Sequence, residues 1–255
     1  MSGIEQQREH LRHTLTEHVC TIEAERITAM AATSVALGTD SEAGAPLGVS
    51  RFGGDALLPP NTTWPEHESK PLELLAVLDL TAIAPINPEL PLPRHGVLNF
   101  CYAPAEQLVT GLDLGDSDGW RVIHAHPETA VLTSPSQGTT RHRERALHGR
   151  ALLTVPDLED LPPDEAGELP DQLFDGYRGS REGEDEPAHR IGGWPDLIQE
   201  PVLGNSGEEL LLAQLDSDER MKWMWGDCGS LYFLIGEQDL RAGDFSRVRL
   251  EMQCC

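Results

Sequence analysis

Apolar residues in this chain fall mostly into short continuous blocks, and only the first stretch carries a helical stripe. Leu11, Leu15, Val19 and Ile22 succeed one another at steps of 4, 4 and 3, which places them on one helical face. Ser2-Gly3-Ile4-Glu5 has the S-x-x-E spacing of a capping box, so an amphipathic helix of about 20 residues is predicted. The stretch 27–37 is rich in Thr, Val and Ala, ends at Gly38 and reads as a strand, and 39–50 reads as a loop. Leu74 to Leu80, flanked by Pro71 and Pro85, predicts a strand buried on both faces. Further strands are predicted at 97–102, 151–155, 210–215, 231–235 and 246–252. Residues 120–124 and 130–133 read as a pair turning through His126-Pro127, and 141–147 as a short helix or charged loop. Strands outnumber helices and do not alternate with them. The predicted class is α+β, with mostly antiparallel or mixed sheet, an N-terminal helix and few others.

One block occurs twice. Leu74-Leu75-Ala76-Val77-Leu78-Asp79 returns as Leu211-Leu212-Ala213-Gln214-Leu215-Asp216. Arg51-Phe52-Gly53-Gly54 precedes the first copy, and Arg190-Ile191-Gly192-Gly193 precedes the second. Gly96-Val97-Leu98-Asn99-Phe100 comes after the first, and Gly229-Ser230-Leu231-Tyr232-Phe233 after the second. From Gly53 to Gly192, Leu74 to Leu211 and Gly96 to Gly229 the separations are 139, 137 and 133 residues, too long a period for a solenoid. The expected organisation is an N-terminal helix and strand over 1–46, a first unit over 47–155, an acidic connection over 156–189 and a second unit over 190–255. Within the connection, Asp171 to Tyr177 has the pattern of a short capped helix.

Charge narrows the partners. With 43 acidic and 19 basic residues the formal charge is −24, which repels nucleic-acid backbones and anionic membrane surfaces. A basic protein or a small molecule is the expected partner. Lysine is confined to Lys70 and Lys222, a usage that points to a GC-rich bacterial or salt-adapted genome. The cysteines (20, 101, 228, 254 and 255) are odd in number and form no C-x-x-C, so no disulfide framework is read. The polar N-terminal stretch and the absence of an apolar run of about 20 residues lead to a cytoplasmic expectation.

Gly192-Gly193-Trp194-Pro195 with Gln199, then Gln214 to Asp218, then Trp225 to Phe233, together resemble the YwqG-like family, a domain of unknown function. Leu47 to Gly54, Trp64-Pro65, Leu74 to Asp79 and Gly96 to Phe100 extend the resemblance from about residue 47 to the C-terminal end. Arg51 stands where that family has Lys, and Trp194 where it has Tyr. The resemblance implies an α+β fold of duplicated units and carries no activity, substrate or catalytic residue.

The residues offer several candidates for chemistry. The Gly pairs match neither G-x-G-x-x-G nor the P-loop and are read as turns needing positive φ. Asp79 and Asp216 end equivalent strands, either as a carboxylate pair holding a metal or a proton, or as caps on the segment after each strand. Asp216-Ser217-Asp218-Glu219, with Trp223-Met224-Trp225-Gly226-Asp227 just beyond it, gathers carboxylates beside two indoles and is the leading candidate site. The alternative is a loop plugged into the core by Trp223 or Trp225. Cys228 has acidic neighbours and lacks an adjacent base, although His189 could approach it. His124 and His126 could begin a zinc site, but no third ligand is evident.

The expected function is a non-catalytic binding protein whose groove lies between duplicated halves. Trp64, Trp194, Trp223 and Trp225 would line it, with Asp216, Asp218 and Asp227 at its edge; no cofactor and no bound metal are expected. One alternative is a metal-dependent hydrolase using Asp216, Asp218 and Asp227. Another is an acidic immunity-type protein that blocks a basic toxin.

Overall fold

The computed structural model describes residues 3–17, 21–87, 89–104, 107, 109–112, 118–156, 189–204 and 208–255. The expected helix over 171–177 lies outside them. Helices α1 (Gly3–Thr16) and α2 (Thr21–Met30) lead into strand β1 (Ala32–Gly38). Then come β2 (Ala45–Phe52), β3 (Ala56–Leu58), β4 (Glu66–His67), β5 (Lys70–Pro71) and β6 (Glu73–Asp79). Next are α3 (Leu80–Ile83), β7 (Val97–Tyr102), β8 (Trp120–Ala125), β9 (Val131–Thr133) and β10 (Arg145–Thr154). The last are β11 (Arg190–Ile191), β12 (Glu209–Asp216), β13 (Ser230–Gly236), α4 (Glu237–Ala242) and β14 (Arg249–Gln253).

Ten strands form one antiparallel sheet in the order β14-β13-β12-β11-β1-β10-β2-β6-β7-β8. This is the α+β arrangement expected, mostly antiparallel strands with few helices. The two repeated hexapeptides are β6 and β12, and their surroundings correspond in detail. Ala76 pairs with Phe100 and Ala213 with Phe233, and each ladder shifts register one residue earlier, at Leu75 and at Leu212. The carbonyl of each bulged leucine accepts from a glycine: Gly53 N–H to Leu75 O at 2.8 Å, Gly192 N–H to Leu212 O at 3.3 Å. The first glycine pair therefore satisfies a backbone acceptor that the bulge removes from the ladder, as does the second.

The buried arginines beside these glycines also correspond. Arg51 donates to Asp55 O and Arg190 to Trp194 O, each four residues on and across its Gly-Gly turn. Burial pulls the Arg51 pKa down, while Glu144 and Asp55 act against that shift.

The sheet curls until its ends meet. Phe100 of β7 packs edge-to-face on Phe233 of β13 with centroids 5.0 Å apart, a contact worth about 0.5–1.5 kcal/mol beyond the buried area. Trp120 Nε1 in β8 donates to Val248 O at 2.8 Å, and Met252 N–H in β14 donates to Thr110 O at 2.9 Å. Both outer strands thereby gain partners that a flat sheet would deny them. The outer faces are covered separately. A ribbon of β3 paired with β9 lies over β6 to β8, and Asn99 of β7 bonds both the N–H and the carbonyl of Leu57. Over β12 and β13, Leu197, Val202 and Leu203 pack on Leu211, Tyr232 and Leu234, and Tyr232 donates to Asp196 O at 2.6 Å. Both faces of β6 and β13 are buried as a result, as expected for β6 from its unbroken apolar run.

Several expectations are corrected. The N-terminal stripe belongs to two helices: Leu11 and Leu15 are buried, but Ile22, on α2, is 77% exposed. Helix α2 buries Ala24 and Ile27 instead, against Leu153 of β10. Arg8 of α1 donates to Thr28 O and Ala31 O, satisfying carbonyls at the end of α2. Ser2, the start of the predicted capping box, lies outside the described residues. Residues 45–50 are strand rather than loop, and 145–147 begin β10. Strands β8 and β9 do not pair with each other: β8 joins β7 and β9 joins β3. No helix among the described residues is long and apolar enough to cross a membrane.

Candidate functional site

The turn from β12 to β13, residues 217–229, carries the tryptophans and the acids singled out above. Ser217 organises it. Its N–H and its hydroxyl both donate to Gly229 O at 2.9 Å, and its oxygen accepts from Trp225 N–H at 2.9 Å. Inside this loop Asp218 and Trp223 exchange backbone hydrogen bonds of 3.1 and 2.9 Å, closing a tight inner turn with Lys222 at φ 60°. The inner turn directs Trp223 into the centre of the curled sheet, where it is 1% exposed.

Four rings surround Trp223. Phe52 of β2 lies 4.9 Å away, Trp225 is stacked at 5.8 Å, and His189 and His142 approach edge-on at 5.8 and 5.9 Å. Trp225 extends the cluster to Tyr102 at 5.4 Å. Both indole nitrogens are buried without a hydrogen-bond partner.

Each histidine is held by a carboxylate. His142 Nε2 meets Glu73 Oε2 at 2.8 Å, and all of this pair is buried. His189 Nε2 meets Asp218 Oδ2 at 3.3 Å, while its Nδ1 accepts the N–H of Asp216 at 3.0 Å. An Nδ1 that accepts carries no proton, so the ring is the neutral Nε2–H tautomer donating to Asp218. Burial alone would raise the Asp218 pKa. The His189 hydrogen bond and the N–H groups of Arg220 and Met221 outweigh it and hold the pKa below the ordinary carboxylate value.

Asp79 and Asp216 are each engaged locally. Asp79 Oδ1 accepts from Thr81 N–H at 3.0 Å and caps α3, and its own N–H donates to Ser50 Oγ at 2.8 Å. Asp216 Oδ1 accepts from Gln214 Nε2 at 2.9 Å and Ser230 Oγ at 2.7 Å. Ser50 and His189 occupy matching places, immediately before Arg51 and Arg190, and accept the matching N–H. Asp79 thus caps the segment after its strand, one of the two sequence readings, whereas the carboxylate of Asp216 accepts from the side chains of Gln214 and Ser230.

The other predicted site residues divide. Trp64, Trp223 and Trp225 belong to one core cluster, with Trp64 Nε1 bonded to Leu72 O at 2.8 Å. Trp194 is half-buried elsewhere, its Nε1 donating to Met30 O at 2.8 Å at the end of α2. Asp227 is exposed. Among the described residues no three His, Cys, Asp or Glu side chains are arranged to hold a metal ion. His124 and His126 are ring neighbours at 5.1 Å, and His124 also packs on Phe245 at 5.5 Å. Burial pulls the His124 pKa down. The Cys228 thiol is exposed, and the His189 ring, bonded at both nitrogens, has its hydrogen-bonding capacity used elsewhere.

His142 and Glu73 were absent from the candidates. They lie 69 residues apart, and no local spacing announces that they meet. For His189 a signal existed, since it stands directly before the second Arg-x-Gly-Gly motif.

By fold, the chain is a closed-up antiparallel α+β domain whose centre is a cage of aromatic rings and paired histidines. The family model for the domain of unknown function DUF1963 matches residues 50–254, and the chain belongs to that family. No curated protein sequence matches it.

Proposed function

We propose that this chain is a non-catalytic interaction protein that recognises a basic protein partner through its acidic exterior. The observation that carries the proposal is where the charges lie. Among the described residues Arg51, Arg190, Glu73 and Asp218 are the buried charged side chains, two of each sign. Among the described residues burial therefore removes equal numbers of each sign and leaves their acidic surplus outside the core, in a chain whose formal charge is −24. Such a field accelerates and orients encounter with a cationic surface, and repels phosphate backbones and anionic membranes. The caged histidines and carboxylates support the same reading, because they are buried and bonded to one another and to nearby backbone N–H groups.

The matching registers, bulges and glycine turns of the two sheet halves support an internal duplication. Its units would run over 47–155 and 190–255, with 156–189 connecting them and 1–46 preceding them. The motifs from residue 47 onward support a YwqG-like assignment within the family, and the cysteine usage a cytoplasmic location.

The test is capture from a lysate of the native host with the full chain as bait, at low and high salt, and then reconstitution from purified components. A basic protein should be retained at low salt, released at high salt and re-form a stoichiometric complex when purified. A bait that captures no basic protein at low salt, or a complex indifferent to salt, would count against the proposal.

A further inference from the structure

Three cysteines, Cys228, Cys254 and Cys255, lie where the 217–229 turn meets the end of β14. Cys228 and Cys255 are exposed and Cys254 is half-buried, all of them free. Ser230 and Gln253 form the outermost β13–β14 ladder pair. One step further, a Cβ placed on Gly229 would lie 2.7 Å from Cys254 Cβ, and one placed on Gly226 would lie 2.5 Å from Cys254 Sγ. One step beyond that, the N–H of Cys255 donates to Asp227 O at 3.3 Å. Cys228, the next residue in the turn, therefore lies beside Cys255 and takes φ 55° there.

A disulfide spans about 4.4–6.8 Å between Cα atoms. The hydrogen bond from Cys255 N–H to Asp227 O brings the backbones of Cys228 and Cys255 to about that separation, and both thiols are open to a reagent in solution. The left-handed backbone at Cys228 disfavours a side chain with a Cβ, and Gly or Asn would be the residue expected from conformation alone.

We propose that Cys228 and Cys255 form a reversible, redox-controlled disulfide that clips the tryptophan-bearing turn to β14. A small-molecule disulfide of the glutathione type is the oxidant. The Cys228 thiolate attacks one sulfur of the oxidant, forming a mixed disulfide and releasing one small thiolate. The Cys255 thiolate then attacks the Cys228 sulfur, releasing the second. Two protein thiols lose two electrons and two protons, and one small disulfide becomes two small thiols. Reduced thiols in excess reverse the step. Cys101 takes no part, because burial pushes its thiol up to about 12.

The experiment equilibrates the full-length chain in oxidised and reduced glutathione, blocks free thiols, and maps peptides without reduction. A Cys228–Cys255 link should form in the native chain and in Cys254→Ser, and be lost in Cys228→Ser and in Cys255→Ser. The oxidised native chain should melt about 5–10 °C above the reduced one, with the difference erased by dithiothreitol and absent in Cys228→Ser. Cys228 remaining free in oxidised glutathione would overturn the proposal. So would a link from Cys228 to Cys254 or Cys20, or one joining two chains.

Discussion

Trp223→Ala is expected to destabilise the fold by about 3–5 kcal/mol, the range for emptying a buried large aromatic site. The residue is 1% exposed and touches rings from β2, from the segment before β10, from the segment before β11 and from its own turn. Its removal opens space between both halves of the sheet at once, so local collapse cannot refill the site. For a domain of this size the melting temperature should fall by about 6–20 °C. Trp194→Ala supplies the comparison, since its ring is only half-buried and packs at the end of α2. Thermal and urea denaturation of both variants read the difference. A Trp223→Ala protein that melts with the native chain would mean that the ring does not hold the halves together.

Gly53→Ala is expected to be nearly as costly, about 2–5 kcal/mol, from two sources that add. Its φ of 61° penalises any residue with a Cβ, and the new methyl would lie 2.7 Å from His142 O and 2.8 Å from Arg143 O. Both neighbours are backbone atoms beside β10, so neither can swing aside. The shift they must make also loosens the Gly54 N–H bond to His142 O. Gly138→Ala is the control. It has φ 91° but nothing within 4 Å of the added methyl, and should lose only the conformational part. Equal melting of the two variants would contradict the packing argument. A Gly53→Ala chain that kept its stability would reopen the possibility that the glycine pair cradles a ligand.

Much of the fold was readable because its signals are local. The hexapeptide at Leu74 and Leu211 is short and apolar, so strand type could be read directly in both copies, and the flanking Pro71 and Pro85 allowed two-sided burial to be read for the first. The glycine pairs were readable as turns because only positive φ makes sense of them, and all four have it. Their pairing with a bulged leucine depends on a ladder 20 residues away and has no local mark. Helix α1 was overextended because Ile22 falls in phase with Leu11 and Leu15, although the chain re-enters a helix at Thr21 with a different face inward. The His126-Pro127 turn and closeness in sequence favour pairing β8 with β9. Here Asn99 draws β3 onto β7 and β9 goes with β3.

The candidate site was legible in part. Asp216, Asp218, Trp223 and Trp225 do gather on one turn, but sequence could not say which way the indoles face. That depends on Ser217 closing the turn and on the inner Asp218–Trp223 pairing, both fixed by hydrogen bonds rather than by composition. The Glu73–His142 pair was out of reach, because a buried hydrogen-bonded pair formed by two distant segments leaves no periodic trace.

Trp223 and Trp225 belong to a closed framework between the sheet halves, which on the proposed function leaves recognition to the exterior. Indole N–H exchange in deuterated water, read by nitrogen-15 NMR on the five tryptophan side chains, tests it most directly. The Trp223 and Trp225 indole protons should exchange only as the whole domain opens, in step with the slowest backbone amides of β6 and β13. Exchange of either indole within minutes under native conditions would contradict it, and would place these rings on an open groove.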